Sequence, residues 1–289
     1  MFFVIVITEP MRVISFNVNG IRAIAQKQKD GQKNDQKEQK EQKEQKESCI
    51  ETLITEQRPD ILCFQEIKTQ SIDDLQFLRA YFKHIYINFA TKKGYSGTAL
   101  LTNEEPEWIA HNFEYYDLAT DKTWAQEGRA ITAKFPTHIV VTVYVPNSKP
   151  GLARIQERLE WEECLRMYLL ALEEFSIPII VCGDLNVAPQ AIDIHNKQPK
   201  NTPGASKDER DAFQRLSENF TDSFRYVHPE TQEYSWWSNF ANSRERNKGW
   251  RIDLILVNSV HKDKIETVGI LNEYKGSDHC PVLLDITVL

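Results

Sequence analysis

The sequence predicts an α/β sandwich, with two β-sheets packed face to face and helices on the outside. Three observations predict it. Short β-branched or apolar runs recur along the chain, at the length of core strands. Between them lie longer stretches whose apolar residues repeat at three- and four-residue steps, the period of an amphipathic helix. Several of the strand-like runs also stop abruptly in polar residues, so the strand ends carry chemistry while the strand bodies form a core.

The elements read in order as follows. The strands are RVISFNV, DILCFQEI, TALLT, ITAKF, HIVVTVYV, IPIIVCGDLN, RIDLILV and PVLLDITV. Helical periodicity fills SCIETLITEQR and GLARIQERLEWEECLRMYLLALEEF. A third helix is predicted over SKDERDAFQRLSENF, where Ser206 and Glu209 have capping-box spacing. From Lys27 to Glu47 no residue is apolar and a Lys-Glu-Gln triplet repeats. Such a segment cannot bury anything, so 27–47 reads as a solvated insertion, helical or disordered. Met11 opens MRVISFNVNG like a natural start, which makes residues 1–10 an N-terminal extension. The remainder, 11–289, reads as one domain.

Composition narrows the class. Of 289 residues, 41% are hydrophobic and 27% charged, the balance of a globular protein with a real core. No apolar run approaches the roughly 18 residues of a membrane span. The start lacks a basic region and a small-residue cleavage site, so no membrane partner and a cytoplasmic location are expected. Five cysteines, with no CxxC pair, read as free thiols in a reducing compartment. The net charge of −7 argues mildly against a nucleic-acid partner, but the distribution of charge decides that question.

The strand ends supply the candidate site. They carry Asn17 and Asn19, Glu66, Tyr144 and Asn147, Asp184 and Asn186, Asp253, Asp278 and His279. Singly, each has an ordinary role open to it. Asp184 and Asn147 could be turn residues, Glu66 a helix N-terminal acid and His279 a structural histidine. Together they form a set of carboxylates, amides and one imidazole. Hard oxygen ligands favour magnesium or manganese, and a lone histidine without a cysteine partner argues against zinc. That inventory suits metal-assisted phosphodiester hydrolysis.

The stretches ISFNVNGIRA, RPDILCFQEIK, KKGYSGTALL, EGRAI, VYVPNS, RLEWE, VCGDLNVAP, YSWWS, RNKGWRIDLILV and GSDHCPVLLDI resemble the exonuclease III family of AP endonucleases. This family lies within the endonuclease/exonuclease/phosphatase superfamily. The resemblance implies a four-layered, DNase I-like sandwich of two mainly antiparallel sheets flanked by helices. It implies incision 5′ to abasic sites, or 3′→5′ exonuclease action, with Mg2+ or Mn2+. The partner is double-stranded DNA and the protein a monomer, nucleoid-associated in a bacterium or nuclear in a eukaryote. The implied metal set is Glu66 with Asn17, Asn19, Asp184, Asn186, Asp278 and His279. Asp184 would activate or align water, Asn186 would help position it, and His279 would bond the phosphate while held by Asp253. Tyr144 would stand near the leaving oxygen, and Asn147 on the phosphate.

Trp236, Trp250 and Ile252 match positions that line a small sugar pocket in relatives, whereas Trp237 reads as core. A base-less nucleotide is cheap to flip, and a small pocket excludes an intact base. Arg22, Lys68, Tyr95, Arg154 and Lys248 are expected on the DNA side, and Lys92, Lys93, Arg244 and Arg246 could track phosphates with them. Two other readings remain. One is a superfamily phosphatase or phospholipase acting on inositol phosphates or sphingomyelin, which would share the metal set. The other is a non-catalytic DNA-binding relative.

Overall fold

The computed structural model describes residues 9–25, 48–114, 123–196 and 198–288. The 27–47 insertion and residues 1–8 of the N-terminal extension lie outside them. In chain order the strands are β1 (Met11–Asn17), β2 (Ile61–Gln65), β3 (His84–Asn88), β4 (Thr98–Thr102), β5 (Trp108–His111), β6 (Ala130–Lys134), β7 (Ile139–Tyr144), β8 (Ile179–Asp184), β9 (Phe220–Asp222), β10 (Trp236–Trp237), β11 (Gly249–Trp250), β12 (Asp253–Asn258), β13 (Ile265–Ile270) and β14 (Val282–Ile286). The helices are α1 (Ile21–Ile24), α2 (Cys49–Gln57), α3 (Ile155–Leu172), α4 (Lys207–Ser217) and α5 (Ser223–Val227).

One six-stranded sheet runs β13-β14-β1-β2-β4-β3 and the other β5-β6-β7-β8-β12-β9. Each has one parallel pair at its centre, β1 with β2 and β7 with β8, and is otherwise antiparallel. The sheets pack through an apolar layer that includes Val13, Leu100, Val140, Ile255 and Leu284. Outside one sheet, α2 buries Ile50, Leu53 and Ile54. Outside the other, α3 buries Trp161, Leu165, Tyr168 and Leu169. The expected four-layered sandwich is therefore the observed one.

Local chemistry sets the helix starts. Ser48 and Ser206 cap α2 and α4, each exchanging bonds with the glutamate three residues on, Glu51 and Glu209. All five cysteines are free, and all but the half-buried Cys164 are buried. Among the described residues no helix is long and apolar enough to cross a membrane.

The parallel pairs position the site. In a parallel pair both carboxyl ends emerge on the same edge. Asn17 therefore ends β1 beside Gln65 of β2, and Tyr144 ends β7 beside Asp184 of β8. Asp253 opens the antiparallel β12 opposite Asp184. Gly183 allows β8 to lie this close to β7. Its φ is +148°, and a Cβ there would sit 1.9 Å from the Val143 carbonyl oxygen.

Candidate active site

Strand ends from both sheets open into one cavity of about 600 Å³. Asn19, Glu66, Lys68, Tyr144, Asn147, Asp184, Asn186, Trp236, Trp250, Ile252, Asp278 and His279 all line it. Asn17 and Asp253 lie directly behind, 0% and 2% exposed. Glu66 and His279 thus share a cavity although 213 positions separate them in the chain.

Sharp turns aim the side chains. Asn19, Glu66, Lys68 and Asn186 all take positive φ, between 46° and 52°. For Glu66 and Lys68 this left-handed backbone costs on the order of 1 kcal/mol each. The bonds Gly20 N to Glu66 O (2.8 Å) and Lys68 N to Ser96 O (2.9 Å) hold the turn. Strain of this kind persists only where the surroundings enforce it.

Asn17 is the hub between the sheets. Its Nδ2 donates to Glu66 Oε1 (3.0 Å) and Asp184 Oδ2 (2.9 Å), while its Oδ1 accepts from Asn19 N (3.0 Å). It therefore presents N–H, not oxygen, to both carboxylates. Asn19 donates to Asp278 Oδ1 (2.8 Å) and accepts from Lys68 Nζ. Lys68 also pairs with Glu66 Oε2 at 2.7 Å, so it stands inside the cavity rather than on its rim. Asn186 has its Oδ1 taken by Asn147 Nδ2 (2.9 Å) and its own Nδ2 on Val145 O (2.9 Å); its backbone N–H fixes Asp184 Oδ1 (2.9 Å).

His279 is bracketed by acids. Nδ1 lies 2.8 Å from Asp253 Oδ2, which also accepts from Ser235 Oγ at 2.7 Å. Nε2 lies 4.0 Å from Asp184 Oδ2. Burial lowers the imidazole pKa, but the charge and hydrogen bond of Asp253, with Asp184 and Asp278, raise it to about 10. Burial, then the charges of Asp253 and Glu66, push Asp184 up to about 7 against the pull of His279. Burial would raise Glu66, yet Lys68, the Asn17 amide and His279 hold it below the ordinary carboxylate value. Tyr144 is pushed well up by burial and by Glu66, and so remains a phenol at neutral pH. The Arg129 guanidinium lies 4.7 Å from the Tyr144 ring centroid.

The donor set fits a hard divalent cation. Oxygen ligands from Glu66 and Asp184 fall, with a His279 nitrogen, within 4.8 Å of one another. Lys68 pairs with Glu66 and His279 with Asp253 in this cluster of Glu66, Asp184, Asp253 and Asp278, and the charges of Asp253 and Glu66 raise Asp184. With Nδ1 of His279 on Asp253, only its Nε2 remains to face the same point as the carboxylates.

Beside this cluster stands an aromatic wall. Trp236 and Trp250 meet edge to face at 6.0 Å, with Ile252 packed against them. Trp236 Nε1 donates to Asp278 Oδ2 (3.2 Å), linking wall to cluster. Trp237 is core, 1% exposed.

The basic residues divide. Arg22, Lys92, Lys93, Arg246 and Lys248 are exposed. Arg154 is half-buried and held by Glu127, Glu157 and the Tyr95 hydroxyl. Arg244, which could have tracked phosphates, ties four backbone carbonyls, those of Asn272, Tyr274, Ser277 and His279, and stacks on Trp237 at 4.6 Å. Arg251, beside Trp250, is 1% exposed and locked between Asp193 and Asp222. Sequence reasoning missed Ser235, Arg129 and Ser277, whose Oγ donates to Asn17 O (2.8 Å). None has a local signal, because each acts across distant segments.

Comparison with known proteins agrees with this geometry. Residues 14–279 match the model described as the Endonuclease/Exonuclease/phosphatase family. The chain is 42% identical over 283 residues to an exodeoxyribonuclease of Bacillus subtilis, covering 96% of this chain and 100% of that one. It is 35% identical over 286 residues to the DNA repair nuclease APEX1 of Danio rerio, covering 96% and 83%. Among solved structures, an AP endonuclease from Archaeoglobus fulgidus matches with a TM-score of 0.76 and 27% identity, covering 96% of this chain and 100% of that one. On this match over most of its length, the chain belongs to the endonuclease/exonuclease/phosphatase family.

Proposed function

We propose that this chain is a DNA-repair nuclease, a metal-dependent phosphodiesterase that incises duplex DNA 5′ to abasic sites, trims 3′ ends, or both. The observation that carries the reading is His279 held between Asp253 and Asp184, across the same cavity from Glu66. Mg2+ or Mn2+ held by Glu66, with Asp278 and Asn19 beside it, would supply positive charge at the scissile phosphate when bound.

The chain's own residues do the rest. His279, protonated at neutral pH, donates from Nε2 toward a phosphoryl oxygen, and Asp253 fixes its orientation. Asp184, with its carboxyl pushed up to about 7, is poised to take the proton of the attacking water. The water oxygen bonds phosphorus and the bond to the 3′ oxygen breaks, leaving a 3′-hydroxyl and a 5′-phosphate. Tyr144, kept as a phenol, stands to donate to the leaving oxygen. The Trp236–Trp250–Ile252 wall forms the sugar pocket, small enough to favour a base-less nucleotide. Arg22, Tyr95, Arg154 and Lys248 contribute contacts to the duplex backbone. Residues 11–289 act as one catalytic unit and as a monomer.

The aromatic wall favours this reading over an inositol-phosphate or sphingomyelin hydrolase, and the complete set of polar groups favours it over a non-catalytic binder. The test is an end-labelled duplex with one tetrahydrofuran abasic analogue, assayed with and without EDTA. Incision on the 5′ side, abolished by EDTA and restored by Mg2+ or Mn2+, is expected. Hydrolysis of inositol phosphates without any DNA cleavage would overturn the proposal.

A further inference from the structure

The RLEWE stretch contributes nothing to the cavity lining, but its arginine reaches the site from behind. Arg158 and Glu162 lie one turn apart on α3, 0% and 4% exposed. Arg158 Nη1 donates to Pro146 O at 2.9 Å, and Nη2 to Leu185 O at 3.0 Å. Those carbonyls belong to the residues immediately before Asn147 and Asn186, whose side chains bond each other at 2.9 Å. One guanidinium therefore joins the loop after β7 to the loop after β8. The guanidinium faces Glu209 Oε1 at 3.6 Å and Glu162 Oε2 at 3.4 Å, the Glu162 carboxyl being pushed up to about 7 by burial against the pull of Arg158. Glu209, on α4 and 0% exposed, also accepts from Ser148 Oγ at 2.7 Å, and Ser148 follows Asn147.

A buried charged cluster is an expensive way to fill a core, because apolar residues of similar volume serve at least as well for stability. What an apolar residue cannot do is bond two carbonyls at a fixed spacing, and lysine lacks the planar fork that does so. The loops it joins carry two of the cavity's amides.

We propose that Arg158, held against Glu162 and Glu209, is a positioning residue for the reaction. It fixes the peptides ahead of Asn147 and Asn186 so that both amides face the cavity in register. The inference rests on the nuclease reading above and adds α3 to the machinery of the site.

The test is a mutant cycle on the full chain, with the abasic-analogue duplex and Mg2+. Arg158→Lys is expected to lower kcat by about 30-fold, the range typical of groups supporting a site from behind, with KM changed less than about threefold. In an Asn147→Ala/Asn186→Ala background the same substitution should cost less than about threefold, since the groups it positions are gone. An equal loss in both backgrounds, or an unchanged kcat in the first, overturns the proposal. If Arg158→Lys does not fold, Ser148→Ala probes the same link from its outer end. A loss of about fivefold that vanishes in the double-alanine background is expected, and an unchanged kcat overturns. A readout independent of activity is the pair of side-chain amide NMR signals of Asn147 and Asn186. Both should shift or broaden in the Arg158→Lys variant while that of Asn88 stays fixed; unmoved signals refute the positioning. Should the wild type fail to cut the duplex, the nuclease reading falls, and the amide signals still decide the brace.

Discussion

Replacing Asp253 by Asn isolates the charge behind His279 while keeping nearly the same shape. The carboxylate lies 2.8 Å from Nδ1, and together with Asp184 and Asp278 it holds the imidazole at about 10, well above the ordinary 6.5. That shift corresponds to about 5 kcal/mol in favour of the protonated ring. Asp253 supplies the largest raising effects, while burial acts the other way. In the variant the burial penalty persists and its main counterweight is lost, so the ring is expected to be mostly neutral at pH 7.5. Loss of one charged donor to a developing phosphorane costs about 10²- to 10³-fold in turnover. Single-turnover cleavage of an abasic-analogue duplex between pH 6 and 9 measures it. The sign is definite. The wild-type imidazolium persists toward pH 10, whereas the variant ring should regain its proton as pH falls toward 6, so the variant's turnover relative to wild type rises on the acid side, where protonation of Asp184 slows both proteins. An Asp253→Asn protein within threefold of wild type at pH 7.5, with an unchanged pH profile, would refute the role given to the pair.

Other substitutions probe the remaining parts. Asp184→Asn should lower turnover by about 10³-fold while the Kd for the same duplex in Ca2+ changes less than about fivefold, read by fluorescence anisotropy. Trp250→Ala opens the aromatic wall and should narrow the preference for abasic over intact DNA by about tenfold, measured as a ratio of kcat/KM values. Burial holds the His138 imidazole down at about 4 against 6.5 when exposed. The unfolded chain therefore binds the extra proton first, and stability falls as pH drops below 6.5. Urea denaturation should show about 2 kcal/mol less stability at pH 5 than at pH 7 from this residue, a difference that His138→Gln removes.

Sequence legibility followed burial. The eight strands read from the sequence are the inner strands of both sheets. The four strands of the two sheets that it missed, β3, β5, β9 and β13, are the edges. An inner strand is covered on both faces and reads as an unbroken apolar run, whereas β3 is half-buried at every position and β13 mixes exposed with buried residues. The site was legible because its residues sit where apolar runs break off, at Asn17, Glu66, Tyr144, Asp184 and Asp253. The partners were not. Lys68 could be a rim lysine until the turn at Glu66 folds it inward onto the carboxylate. Arg244 could track phosphates from a basic stretch, and only tertiary packing reveals that backbone carbonyls already occupy it. Arg158 lies on a helix whose period marks it as inward-facing, but nothing local says which carbonyls it meets.

Catalysis requires the carboxylate cluster in this cavity to bind a divalent cation through Glu66. Titrating Mn2+ into the DNA-free protein and reading the free ion by electron paramagnetic resonance tests that directly. Binding should be saturable, competed by Mg2+ and weakened at least about tenfold in Glu66→Gln, with the fold intact by circular dichroism. Equal Mn2+ affinity in the wild type and Glu66→Gln would contradict it.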